Sequence, residues 1–333
     1  MKSGGQCSLI KEMLETADII RNFDFSQTSG IAEKVKKAGH VLLSGEGSSR
    51  IFPAKSFITS VYSSGLDIRV HTEGSYQAAE YDLSKFIVFV SSNSGRTKES
   101  LTLIRKLRSA GHNDVVGITA TPNTPVATEA NVGFVLSCGE EKAVAATKSV
   151  VEQALIYKSL FTNIAGSSIP GLKAEAADIV ASILQTDIDD NLIAKIASAR
   201  MIFFAGRNNG VAEELALKTN EIVRKPSGYL EGTYALHGVE EIMSKEDVVI
   251  FIKPFKTEYE KMHEIFEEKI GATVICISEQ DTQFRTIKIP ELDGYNEIFE
   301  LMAGWNILVN TGLKLGINLD KPARARKIGN EMN

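Results

Sequence analysis

The chain has 333 residues and a mass of 36.3 kDa, long enough for two ordinary domains or one large α/β unit with a sizeable core. With 43% hydrophobic residues, 24% charged residues and a mean hydropathy of -0.04, the composition excludes disordered and fibrous classes. The 42 acidic and 37 basic side chains leave a net charge of -5, so no global field draws a nucleic acid or an anionic membrane, and an anionic ligand has to be met locally.

Cys7, Cys138 and Cys276 are odd in number, far apart and without metal-ligand spacing, which fits a reducing compartment and speaks against a structural zinc. The apolar cluster in residues 1–14 is interrupted by Lys11 and Glu12 and is too short for a signal peptide. No window approaches the ~18 apolar residues of a spanning helix. A cytoplasmic protein is the expectation.

Residues 41–44, 86–90 and 115–119 are short continuous apolar runs bounded by turn residues, the pattern of strands buried on both faces of a parallel sheet. Helical stretches lie between them at 49–64 and 97–110, the second closed by Gly111. The Gly/Ser/Pro cluster at 166–171 then marks a boundary. Beyond it the order begins again: 201–204 followed by Gly206 echoes 41–43 followed by Gly45, 248–252 echoes 86–90, and 273–277 echoes 115–119, at an offset of roughly 160 residues. Long amphipathic helices at 144–161 and 295–313 close the halves. The pattern predicts an α/β protein made of one parallel-sheet domain written twice.

The stretch 91–97, Ser-Ser-Asn-Ser-Gly-Arg-Thr, falls directly after a predicted strand and before a helix. At the carboxyl edge of an open parallel sheet, the free N–H groups of the following helix favour an anion, and hydroxyl and amide groups can surround a phosphate. Neither a Walker spacing nor a G-x-G-x-x-G fingerprint is present, so a small phosphoester is favoured over a nucleotide. A polar turn with a serine N-cap is the plain alternative. The loop 45–49, Gly-Glu-Gly-Ser-Ser, is expected beside it on the same edge, whereas the counterparts at 206–210 and 253–257 lack the serines, so the halves have diverged.

The second half offers a different chemistry. On a predicted helix at 211–224, Glu214, Lys218 and Glu221 share a face, and His237 follows on a turn-rich segment. A carboxylate and an imidazole suit proton transfer next to a carbonyl, provided burial raises the carboxylate above its usual pKa of about 4.3. A solvated salt-bridge ladder and a surface histidine are the plain alternatives. The basic run at 320–327 reads in the same way as a solvated tail.

In order and spacing, 47–49, 92–97 and the segment 141–148 (Glu-Lys-Ala-Val-Ala-Ala-Thr-Lys) resemble the sugar isomerase (SIS) domain. From about residue 30 the chain resembles the tandem isomerase portion of glucosamine-6-phosphate synthase and its stand-alone relatives, the sugar-phosphate isomerases, deaminases and deglycases. The resemblance implies two tandem three-layer αβα SIS domains, each a flavodoxin/Rossmann-like parallel sheet flanked by helices. Boundaries are expected at 1–29 (first helix), 30–166 (first domain with the phosphate loops), 167–190 (linker and helix) and 191–333 (second domain with catalytic helix and tail).

Carried over by position, Gly47, Ser48, Ser49, Ser92, Asn93, Ser94 and Thr97 match the phosphate and sugar-hydroxyl ligands, and Val144 and Ala145 match a backbone contact to the sugar. Glu221 matches the carboxylate that moves a proton between C1 and C2, Lys218 its helper, His237 the ring-opening histidine and Lys327 the tail lysine. In relatives that histidine reaches a neighbouring subunit, which implies a homodimer. Asn93 and Arg96 stand where Gln and Glu are usual, and 323–326 departs from the usual Arg-x-Leu-Ala/Ser. Cys7 is internal and no glutaminase domain accompanies it, so glutamine-dependent synthesis is not expected of this polypeptide alone.

The resemblance implies an enzyme without metal or cofactor, acting on a hexose or aminohexose 6-phosphate as an isomerase or deaminase, with a small sugar phosphate as partner. A fructosamine-6-phosphate deglycase is the rival within enzymes. A non-catalytic sugar-phosphate-binding regulatory module is the rival from another class.

Overall fold

The apolar runs form the centres of two all-parallel sheets in the computed structural model of the chain, which describes residues 7–326 and 330–332. The first sheet holds β1 (His40–Gly45), β2 (Arg69–Glu73), β3 (Ile87–Ser91), β4 (Val115–Thr119) and β5 (Val132–Val135) in the order β2-β1-β3-β4-β5. The second holds β6 (Ile202–Gly206), β7 (Ser227–Glu231), β8 (Val248–Ile252), β9 (Thr273–Ser278) and β10 (Arg285–Lys288), ordered β7-β6-β8-β9-β10. Renumbered within each half, both orders are 2-1-3-4-5, the doubly wound arrangement whose switch point lies between strands 1 and 3.

By contacts, one unit comprises Glu15–Ala174 with the C-terminal residues from Ala323 onward. The other comprises Glu175–Pro322 with the N-terminal residues through Leu14.

Each core follows from the pattern that predicted it. In the first-sheet unit, Leu42, Val88, Val90 and Val115 pack against Leu101, Ile104 and Leu107 from the helix Lys98–Ser109. That helix buries the 3.6-period stripe of its sequence and stops before Gly111, whose φ of 77° is cheap only for glycine. In the second-sheet unit, Phe203, Phe251 and Phe266 dominate, each contributing about 2–3 kcal/mol by leaving water. The cluster at 166–171 becomes a helix end at Gly166, with φ 69° and its N–H bonded to Thr162 O at 2.8 Å, followed by the 3₁₀ turn Ile169–Leu172. Among the described residues no helix is long and apolar enough to cross a membrane.

Candidate functional site

Two loops meet at the switch point of the first sheet. Gly45 ends β1 beside Ser91 of β3, its register partner, and a Cβ on Gly45 would stand 2.8 Å from Ser91 O, so only glycine lets the two loops approach this closely. The first loop turns through Gly47 at φ 53° into the 3₁₀ turn Gly47–Ser49, with Ser48 buried and Ser49 half-buried.

The second loop is tied down residue by residue. Ser92 N donates to Ile118 O at 2.9 Å, Ser92 Oγ and Thr97 Oγ1 are 2.8 Å apart, and Gly95 N donates to Ser92 Oγ at 3.1 Å. Ser94 Oγ accepts from Arg96 N at 3.2 Å. The Asn93 carbonyl accepts from Ala120 N at 3.0 Å and Thr119 Oγ1 at 3.1 Å. Gly95 has φ 65°, and a Cβ there would lie 1.9 Å from Thr124 Oγ1, so the turn is possible only for glycine.

A buried carboxylate that the sequence reading left without a role organises the third segment. Glu141, 6% exposed, accepts from Thr147 N and Ser149 Oγ at 2.7 Å each and from Asn93 Nδ2 at 2.7 Å. It thereby ties the segment carrying half-buried Val144 and buried Ala145 to the loop after β3. Pairings between residues this far apart in sequence leave no periodic signature that sequence reasoning could detect.

Beyond the basic run, whose residues 321–326 are exposed, Asn330–Met332 dock on the same loop. Asn330 O accepts from Lys98 N at 3.1 Å, Met332 N donates to Arg96 O at 3.1 Å, Thr97 and Glu331 form an antiparallel bridge, and Asn330 Nδ2 donates to Glu99 Oε1 at 2.6 Å. Arg96, which stands where Glu is usual, lies 3.9 Å from Glu331, a half-exposed pair worth little by itself. Lys327 lies outside the described residues.

In the second-sheet unit the predicted helix at 211–224 is an α-helix over Val211–Lys218 that widens into a π turn over Thr219–Val223 and ends at Arg224, φ 56°. Single π turns inside helices recur at functional sites. Lys218 is 0% exposed; its Nζ lies 2.7 Å from Glu221 Oε2 and 3.3 Å from Glu214 Oε1. Burial drags the Lys218 pKa down, but the carboxylates of Glu221 and Glu214 more than reverse this and hold it above the usual lysine value. Glu214 is fully buried, while the Glu221 side chain keeps 29% exposure and is the member of the trio that a substrate can reach. This is no solvated ladder.

His237 is exposed and sits behind the 3₁₀ turn Tyr234–Leu236, with Nε2 3.5 Å from Thr233 Oγ1. Glu221 precedes β7 and His237 follows it, and their partners are Lys218 and Thr233 respectively. Within one chain they do not form a pair.

The loops of the second sheet keep their own charges occupied. Lys253 bonds Glu279, and Arg207 bonds the Lys253 carbonyl and lies 4.3 Å over the Phe255 ring. Nearby, burial and then Glu297 push the carboxyl of Glu300, 1% exposed, up to about 8, which leaves it protonated at neutral pH. The loops 206–210 and 253–257 themselves contain no serine.

Two parallel sheets of 2-1-3-4-5 order, with a serine and threonine loop at the switch point of the first, make a doubly wound α/β protein. The SIS domain model matches residues 68–163. The chain is similar to the glutamine–fructose-6-phosphate aminotransferase (isomerizing) of Oceanobacillus iheyensis, 28% identical over 207 residues, covering 59% of this chain and 34% of that enzyme. It spans between a third and three fifths of the length of the curated relatives it matches. In fold it is similar to the C-terminal domain of glucosamine-fructose-6-phosphate aminotransferase from Francisella tularensis, with a TM-score of 0.77 at 17% identity, covering 94% of this chain and 98% of that one. It is likewise similar to glucosamine-6-phosphate deaminase from Thermotoga maritima, with a TM-score of 0.74 at 24% identity, covering 96% and 98%. The SIS-domain match thus lies in the first half, and the fold over nearly the whole chain is that of these solved structures.

Proposed function

We propose that this protein is an enzyme that binds a hexose or aminohexose 6-phosphate and moves a proton between C1 and C2, either exchanging aldose and ketose forms or coupling that exchange to loss of ammonia. The observation that carries the reading is the Glu214–Lys218–Glu221 trio: a fully buried lysine held between two carboxylates on a π-widened helix, one of them reachable. A module that only bound sugar phosphate would need the loops of the first sheet and not this trio.

In the proposed reaction Ser48, Ser49, Ser92, Ser94 and Thr97 anchor the phosphate without reacting. His237 opens the ring by moving a proton between O1 and O5. Glu221 takes the proton from C2 of the open-chain aldose, the C–H electron pair becomes the C1–C2 double bond, and the C1 carbonyl pair moves onto O1, which gains a proton to give an enediol or enamine. The same carboxylic acid then returns the proton to C1 as the C2 hydroxyl loses its proton to leave a ketone, or as the C2 amino group becomes an imine that water hydrolyses to ketose and ammonia. Lys218, with Lys327 as tail lysine, stabilises the negative charge that develops on the substrate oxygen. That His237 and Glu221 do not pair within one chain supports a homodimer in which each subunit's histidine serves its neighbour. Because the remote phosphate orients the sugar, its loss should lower turnover as well as affinity.

The test is an assay with glucosamine 6-phosphate, glucose 6-phosphate, fructose 6-phosphate and a fructosamine 6-phosphate, following ketose, ammonia and amino acid release. Interconversion or ammonia release is expected from the first three and no amino acid from the last. Comparable turnover of unphosphorylated glucosamine would sink the reading.

A further inference from the structure

The side chain of Asn93 is held in one polarity by the groups behind it. Its Nδ2 donates one hydrogen to Glu141 Oε2 at 2.7 Å and the other to Ser149 Oγ, while the Ser149 hydroxyl spends its own hydrogen on the same Oε2 at 2.7 Å. The other carboxylate oxygen, Oε1, accepts from Thr147 N at 2.7 Å and Ser149 N at 3.3 Å, both obligatory donors. Oε2, the oxygen that faces Asn93, belongs to an ionised carboxylate and so accepts without donating, and the amide cannot turn its own oxygen toward it. Both Asn93 hydrogens are therefore consumed inside the protein, and among the described residues no donor reaches Oδ1.

From this geometry we infer that Asn93 presents an acceptor to the ligand and reads a hydroxyl or amino group of the sugar, while Glu141 is the positioning residue that fixes this polarity. The inference rests on the phosphosugar reading and narrows it. A phosphate monoester dianion offers only acceptors, and an acceptor set against an acceptor repels. The Asn93 side chain is thus removed from the phosphate ligands, its backbone N–H aside, and becomes a determinant of which sugar is taken. Its neighbours Ser92 and Ser94 carry hydroxyls that can donate, so the loop divides by residue: serines and Thr97 for phosphate, Asn93 for sugar.

The inference predicts how two substitutions change binding of inorganic phosphate and of glucosamine 6-phosphate, measured by titration calorimetry on the full chain. Asn93→Ala removes the acceptor and should weaken glucosamine 6-phosphate about tenfold while changing inorganic phosphate by no more than about twofold. In Glu141→Gln the backbone N–H groups of Thr147 and Ser149 retain the side-chain oxygen, so the new NH₂ faces Asn93 and turns its amide over. A donor then faces the ligand, and phosphate should bind as well as before or more tightly while the sugar phosphate weakens by a similar factor.

If Asn93→Ala weakens inorganic phosphate as much as glucosamine 6-phosphate, or leaves both unchanged, the assignment is overturned while the phosphosugar reading stands. If the unaltered protein binds neither probe, that reading falls and this inference falls with it. Should Glu141→Gln fail to fold, Asn93→Ala still decides.

Discussion

Replacing Glu221 with glutamine is expected to lower kcat for the productive hexose 6-phosphate by about a hundred- to ten-thousandfold, while its Kd changes by less than threefold. The amide keeps the shape of the carboxylate and can still meet Lys218 Nζ through its oxygen, 2.7 Å away in the parent. It cannot take a proton from carbon. Loss confined to kcat marks an interaction made in the transition state alone, and equal loss in binding and turnover would instead mark Glu221 as a sugar ligand. Steady-state kinetics paired with equilibrium binding separates the two outcomes. A parent that binds tightly and turns over none of the panel would favour the regulatory module.

Lys218→Met should cost stability as well as activity. The side chain is 0% exposed and faces Glu214, also 0% exposed, and Glu221. Removing one partner of a buried ion pair costs about 3–5 kcal/mol, which corresponds to roughly 10 °C in Tm for a unit of this size. A second change, Glu214→Gln, should recover part of the loss because it removes the opposing buried charge. The pH dependence has a definite sign. Lys218's pKa in the folded chain is raised, so the pairing stabilises fully below the unfolded lysine value of about 10.4 and is lost as pH climbs through the folded value. Calorimetric melts between pH 7 and 11 should find the Lys218→Met variant closing its gap with the parent at the alkaline end. A constant gap would contradict the assigned ion pairing.

The central strands were legible because burial on both faces leaves continuous runs such as Val248–Ile252, every residue of which is buried. The four edge strands β2, β5, β7 and β10 were not, since each has one flank open and their residues are mixed or exposed, as at Val132–Val135. The loop after β3 could be read from local order alone: strand, hydroxyl-rich turn, helix. Which way Asn93 faces could not, because it is set by Glu141 and Ser149 through contacts that only the folded chain brings together. The spacing of Glu214, Lys218 and Glu221 predicted a shared helix face but not its burial, nor the π turn that begins at Thr219. Docking of Asn330–Met332 on the loop left no sequence signal, since a basic run followed by short polar residues reads as a tail whether or not it finds a partner.

Movement of a deuterium label tests the proton transfer most directly. The protein is incubated with 2-deuterated glucose 6-phosphate and 2-deuterated glucosamine 6-phosphate, and the label is followed by NMR. Transfer through Glu221 predicts that deuterium leaves C2 for C1 or for solvent in at least one of them, with unphosphorylated sugars and the Glu221→Gln variant inert. Label that stays on C2 in both sugar phosphates, under conditions where they bind, would contradict the assignment.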